Sequence, residues 1–160
     1  VKGYLLTKTG KINVAELYRK HRLIEVFLVD HLQYTCDLIH QEAEILEHTV
    51  SDHFIDALER LLNYPQTCPH GGQIPKSGQL IEEFYNQTFT QGLAPGNYVL
   101  RRVQDQHDLL HYLETVGLKI GTPFTLEGFD PFTQLYRLHI DGKDVQIPEA
   151  IASNLYIESN

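Results

Sequence analysis

The sequence predicts a mostly α-helical domain followed by a small all-β barrel. In the first part of the chain, apolar residues recur at spacings of three and four, the period of a helix that buries one face. From about Gly96, short segments rich in β-branched and aromatic residues replace that pattern, as expected for strands. The stretch "YPQTCPHGGQIPKSG", residues 64–78, carries three prolines and three glycines and is predicted to be a loop.

Three helices account for the first domain. The first is predicted over residues 13–33 and the second over residues 37–50, and "SD" at 51–52 is a start signal for the third. Each helix has a stripe of apolar residues at helical spacing, which predicts the face that it buries. In order, the stripes are Leu17, Ile24, Phe27, Leu28 and Leu32; Ile39, Ala43, Leu46 and Val50; and Phe54, Ile55, Leu58, Leu61 and Leu62.

The second domain is predicted from the short segments "NYVLRRV", "PFTLEGF", "QLYRLHI" and "NLYIES". Asp141-Gly142, between "LYRLHI" and "KDVQI", is a strong signal for a tight hairpin. The segment "DLLHYLETVG" predicts one helix among the strands, with Gly117 as its C-cap. Residues 80–89 fit a helix or a strand, and the opening "VKGYLLTKTGK" is predicted to be the end of a β-hairpin.

Charge and hydropathy limit the possible functions. The chain has 13 Lys and Arg against 21 Asp and Glu, a net charge of −8, which argues against a nucleic-acid surface on these residues. The acidic excess with nine histidines favours cation binding, although a solubilising acidic surface is the simpler alternative. No apolar run approaches the roughly 18–20 residues of a membrane span and no signal peptide opens the chain, so a cytoplasmic protein without a membrane partner is predicted.

The segment "HQEAEILEH" places ionisable residues on one face of the second helix. His40, Glu44, Glu47 and His48 are at i, i+4, i+7 and i+8, beside the apolar stripe. Glu44 and Glu47 would repel each other at this spacing unless a cation or a proton lies between them. A solvated polar face is the alternative for these four residues alone.

Two further pairs favour a metal site. His21 and Glu25, at i and i+4 on the first helix, can converge on one ion, and imidazole with carboxylate suits Mn, Fe, Co, Ni or Zn. Cys68 and His70 in "CPHGG" point to the same side of an extended backbone, although an inert loop cysteine is the alternative. The other cysteine, Cys36, falls in a helical pattern and is predicted to be a small buried residue.

In these residues the chain resembles the DtxR/MntR family of metal-dependent transcriptional repressors, in particular its streptococcal manganese- and iron-responsive branch. The matching segments are "GYLLTKTGK", "YRKHRLIEVFL", "HQEAEILEH", "VSDHF", "CPHGGQIP" and "GLKIGTPFTLEGFDP…LYRLHIDGKDVQIPEAIASNLYI". The resemblance implies a remnant of a winged-helix wing at 1–10, a helical metal-binding and dimerisation domain at 11–78, a linker at 79–95 and an SH3-like, FeoA-like domain at 96–160. The rest of the DNA-binding winged helix would precede this chain.

Carried over by residue, the resemblance implies two metal sites. The primary site would consist of Glu44, Glu47, His48, Cys68 and His70, and the ancillary site of His21, Glu25, His40 and Asp105. Mn(II) is the expected metal and Fe(II) the second choice, while Zn(II), Co(II) or Ni(II) could bind in vitro.

The function implied is that of a repressor rather than an enzyme. The metal would act as corepressor in a homodimer that binds operator DNA through the preceding winged helix. A metalloenzyme using the same His/Glu/Cys cluster, or a structural dimerisation and adaptor module, are the alternatives.

Overall fold

The structure, a computed structural model, describes residues 5–160 apart from the side chains of Cys36, Asp37 and His107. The prediction for Cys36 and that for the first four residues therefore lie outside the described part. The chain divides into a helical unit that ends at Glu83 and a β unit that begins at Phe84. Within the described residues, none of the helices has the length and hydropathy that a membrane span requires.

The helical unit contains α1 (Lys8–Asp30), α2 (Cys36–Glu47) and α3 (Asp52–Leu61). The first helix begins five residues before the predicted residue 13, so Lys8–Gly10, assigned to the wing remnant, are helical. Thr7 caps this helix, because its hydroxyl accepts a hydrogen bond from the Gly10 amide at 3.1 Å. Residues 5–9 are exposed, so the first turn gives no apolar periodicity from which the helix could have been predicted.

The core of the helical unit uses only part of the predicted stripes. Phe54 and Leu61 of α3 stay exposed, as do Leu17 of α1 and Leu32 in the turn that follows it. These exposed apolar side chains identify faces of the unit that its own core does not cover. The buried apolar residues that pack together in this core are Leu23, Ile24, Val26, Leu28, Ile39, Ala43, Ile55, Leu58, Cys68 and Ile74.

A buried arginine joins α1 to α3. Arg19 donates through Nη2 to Asp56 Oδ1 at 2.9 Å and to Glu59 Oε2 at 2.6 Å. Burial by itself lowers the pKa of Arg19, but the hydrogen bonds that Arg19 donates to Glu59 and Asp56 outweigh burial and raise that pKa. The guanidinium thus stays charged and fixes the middle of α1, which carries His21 and Glu25.

Replacing Ser51 with Ala should destabilise the helical unit by about 1 kcal/mol. Ser51 is the N-cap of α3, and its hydroxyl accepts a hydrogen bond from the Phe54 amide at 3.1 Å. Urea unfolding measures the change. Ser51→Asp keeps a capping oxygen and serves as the control; equal losses in both variants would argue against the cap.

The β unit is a five-stranded antiparallel sheet in the order β4-β3-β2-β1-β5. Its elements are β1 (Gly96–Val103), α4 (His107–Val116), β2 (Pro123–Asp130), β3 (Leu135–Ile140), β4 (Lys143–Pro148), α5 (Glu149–Ala152) and β5 (Leu155–Ser159). Both residues of the Asp141-Gly142 hairpin have positive φ, and Gly117 ends α4 in the left-handed region. The predicted fold class, hairpin and C-cap are therefore confirmed. No helix or strand forms over residues 80–89, where only Thr88 makes an isolated bridge.

Candidate metal centre

Glu25 is the centre of a buried cluster of ionisable side chains. It is completely buried on α1, and its Oε1 atom lies 3.1 Å from His21 Nε2, 3.4 Å from His70 Nδ1 and 3.9 Å from His40 Nδ1. Burial raises the pKa of the Glu25 carboxyl, but hydrogen bonds from His21, His40 and His70 outweigh it and hold that pKa far below its usual value. Glu25 is therefore a carboxylate, and a buried carboxylate requires positive charge beside it.

His21 connects Glu25 with α2. Its Nδ1 atom lies 2.6 Å from Glu47 Oε2, and its Nε2 atom lies 3.1 Å from both Glu25 Oε1 and His40 Nδ1. A neutral imidazole carries one proton and can donate to only one of these two carboxylates. The arrangement therefore calls for either a doubly protonated ring or a cation in place of one proton.

The loop after α3 brings a thiol and a third imidazole to Glu25. Ligand atoms of Cys68, His70 and Glu25 lie within 4.8 Å of one another, and all three residues are buried. Hydrogen bonds of 2.9 Å from the Cys68 amide to the Gly72 carbonyl and from the Gly71 amide to the Cys68 carbonyl tighten this loop. Gly71 sits at a positive φ, which the turn requires.

These residues fit a bound transition-metal ion. Sulfur, nitrogen and oxygen donors together are the ligands of Mn, Fe, Co or Zn sites, and burial keeps competing water away. Among the described residues, the Glu25 Oε2 atom is buried without a hydrogen-bond partner. A buried carboxylate oxygen of this kind is a suitable ligand for a cation.

Two of the predicted primary ligands lie beside a residue of the predicted ancillary set. Cys68 and His70, assigned to the primary site with Glu44, Glu47 and His48, lie beside Glu25 of the ancillary set. The signal in "CPHGG" showed that the two side chains could act together, but not which helix they would face.

The remaining predicted ligands lie on α2 and in the β unit. Glu47 is buried against His21, with His48 Nε2 at 3.3 Å from its Oε1 atom, whereas Glu44 and His48 are exposed. Asp105 follows β1 by two residues in the β unit. The division of these ligands into a primary and an ancillary site, and the role of Asp105, stay predictions.

Sequence reasoning missed two residues that join the loop carrying Cys68 and His70 to α1. Arg22 and Glu83 are hydrogen-bonded to each other at 2.7 Å, and both contact the backbone of Gln73. Arg22 lies inside the segment "KHRLIE" that carries His21 and Glu25, but a single arginine on a helix is no signal for this role.

The fold and the cluster define a helical metal-binding domain followed by a small β domain, and comparisons with known proteins agree. Residues 7–76 match the family model described as "Iron dependent repressor, metal binding and dimerisation domain", and residues 92–159 match the FeoA domain. The structure of the manganese regulator SloR is 52% identical with a TM-score of 0.94, covering 99% of this chain and 74% of that one. The chain belongs to the DtxR family of metal-dependent transcriptional repressors.

Two more distant relatives are a repressor, matched over most of its length, and a transport protein, matched over a short segment. The iron-dependent repressor IdeR of Mycobacterium leprae is 27% identical over 96% of this chain and 72% of its own length. A probable metal transport system membrane protein of Chlamydia trachomatis is 38% identical over 71 residues, which is 44% of this chain and 16% of that protein. The matched part of this chain thus corresponds to only a small part of that transport protein, and to about three quarters of SloR and of the Mycobacterium leprae repressor.

Proposed function

We propose that this chain is the metal-sensing and dimerisation region of a repressor for which Mn(II) is the corepressor, with Fe(II) as the second choice. The observation that carries the proposal is the buried carboxylate of Glu25, surrounded by His21, His40, His70 and the thiol of Cys68. Such a cluster is costly to bury unless a cation or several protons neutralise it. Membership of the DtxR family supports the cation.

The donor set accounts for the choice of metal. Carboxylate and imidazole favour Mn(II) and Fe(II), whereas the thiol of Cys68 favours the softer Fe(II), Co(II) or Zn(II). A bound metal supplies positive charge and links separate segments of the chain. Glu25 would hold it from α1, and Cys68 and His70 from the loop after α3, so binding would make that loop a fixed part of the helical unit.

In the proposed switch the metal changes the relative populations of two arrangements of the protein. Metal binding raises the fraction of protein in the arrangement that fits the operator, and the apparent affinity for DNA rises in proportion to that fraction. DNA itself would be bound by a winged helix that precedes the region described. A tenfold gain requires about 1.4 kcal/mol of preferential metal binding to that arrangement.

Replacing Glu47 with Ala should weaken Mn(II)-dependent operator binding by the full-length protein at least about tenfold, a loss of about 1.4 kcal/mol. Glu47 is the buried partner of His21 Nδ1, so its loss disturbs the ionisable residues of α1 and α2 together. Fluorescence anisotropy of labelled operator DNA against Mn(II) concentration measures the change. DNA binding that is the same with and without Mn(II) in the wild type would refute the corepressor.

We further propose that the protein is a homodimer that uses exposed faces of α2 and α3. Leu38 and Ile45 on α2, and Phe54 and Leu61 on α3, are exposed pairs at seven-residue spacing. Two residues seven apart share one face of a helix, so each helix presents an unpartnered apolar stripe. The family's metal-binding domain is also its dimerisation domain, and a second copy is therefore the expected partner.

A further inference from the structure

We propose that Arg22 and Glu83 are positioning residues that hold Cys68 and His70 in place for a metal ion bound at Glu25. The inference rests on the proposed metal site and goes beyond it, since neither residue is a metal ligand. The two side chains and the Gln73 backbone form a unit, called here the Arg22–Glu83 clamp.

The clamp is a closed ring of three hydrogen bonds. Arg22 donates through Nη2 to Glu83 Oε1 at 2.7 Å and through Nη1 to the Gln73 carbonyl oxygen. The second Glu83 oxygen, Oε2, accepts from the Gln73 amide at 2.8 Å. Both carboxylate oxygens of Glu83 therefore accept a hydrogen bond, and both backbone groups of Gln73 are held by side chains from outside the loop. Charge-assisted bonds of this kind are stronger and more directional than neutral ones.

Packing against Gly72 and Tyr18 also restricts the guanidinium of Arg22. A Cβ atom added at Gly72 would lie 2.6 Å from Arg22 Cζ, much closer than two carbon atoms can approach. On another side, the guanidinium carbon lies 4.9 Å from the centre of the Tyr18 ring. Glycine is required at 72 for space, because the loop backbone lies directly against Arg22.

The clamp holds Gln73, at the end of the loop segment that carries Cys68 and His70. Gln73 pairs with Thr67 across the loop, so fixing Gln73 also fixes the strand-like residue that precedes Cys68. Arg22 lies three residues before Glu25, about one helical turn away. The loop thus meets α1 at two neighbouring points, the carboxylate of Glu25 and the guanidinium of Arg22. The contact at Arg22 sets the distance of the Cys68 thiol and the His70 imidazole from the Glu25 carboxylate.

Cobalt(II) binding to the whole chain tests the clamp, because a thiolate bound to Co(II) gives a charge-transfer absorption that reports on the sulfur ligand. For Glu83→Gln we expect about a tenfold weaker Co(II) affinity and a weaker sulfur-to-cobalt absorption per bound ion. Gly72→Ala should give the same two changes, since it displaces Arg22. A general loss of stability would not change the spectrum of the ion that does bind.

The matched control is Glu82→Gln, the same chemical change at the exposed neighbouring residue. The clamp is refuted if Glu83→Gln and Gly72→Ala bind Co(II) with the affinity and the spectrum of Glu82→Gln. If circular dichroism shows that Glu83→Gln does not fold, Arg22→Lys takes its place. Lysine keeps the charge but lacks the planar fork, so the same spectral loss is expected, and a wild-type spectrum would refute the proposal.

Failure of the metal site itself has a different signature. A wild-type protein without sulfur-to-cobalt absorption, or a Cys68→Ser variant that binds Co(II) as tightly as the wild type, would overturn the site and the clamp with it. Normal wild-type absorption with unaffected clamp variants would overturn the clamp alone.

Discussion

Replacing Glu25 with Gln is expected to lower Mn(II) and Co(II) affinity at least about a hundredfold, which corresponds to about 2.7 kcal/mol. Glu25 is the completely buried carboxylate that His21, His40 and His70 approach, and it shares a metal-sized cluster with Cys68. Glutamine has nearly the same shape but offers a neutral, weaker ligand. The loss therefore comes from charge and ligand strength and not from a cavity. Isothermal titration calorimetry of the folded variant measures it.

Glu42→Gln is the matched control, because it makes the same change on α2 at a position outside the cluster. Its metal affinity should equal that of the wild type. Circular dichroism must show native helix content in Glu25→Gln before its affinity is compared. Metal binding by Glu25→Gln that matches the control would contradict the central role of Glu25 and leave the cluster without its main anionic ligand.

The sequence predicted the elements of this fold well because most of their signals are local. The Asp141-Gly142 turn, the Gly117 cap and the Ser51 start signal depend on backbone preferences of a few neighbouring residues, and each is confirmed. The start of α1 was missed because its first turn is stabilised by the cap at Thr7 and not by burial. Periodicity detects only the turns that contribute to the core.

The residues of the metal cluster were predictable from the sequence, but the contacts between its separate segments were not. Spacing on one helix predicted the His21–Glu25 pair, and the structure places His21 Nε2 at 3.1 Å from Glu25 Oε1. Which helix the "CPHGG" loop faces depends on tertiary packing, and so does the contact of Glu47 with His21 across α1 and α2. The Arg22–Glu83 clamp joins residues sixty-one positions apart, and no local pattern marks such a pair.

Replacing Ile45 with Asp is expected to convert the homodimer into a monomer at micromolar concentration. Ile45 is 63% exposed on α2 and shares its face with Leu38, so it contributes little to the core of the isolated helical unit. In the proposed dimer it would be covered by the second copy, where an unpaired carboxylate costs several kcal/mol. Sedimentation velocity measures the change, and an unaltered Co(II) spectrum shows that the metal cluster of the monomer is intact.

The β unit offers a matched control for this substitution. Phe132 is 95% exposed in the turn between β2 and β3, so Phe132→Asp adds the same charge at another exposed apolar residue. It should leave the dimer unchanged, because the proposed interface lies on α2 and α3 alone. Dissociation by both variants would mean that added charge, and not its position, weakens association. A dimer that persists in Ile45→Asp would place the interface on another surface and leave the exposed stripes of α2 and α3 for a different partner.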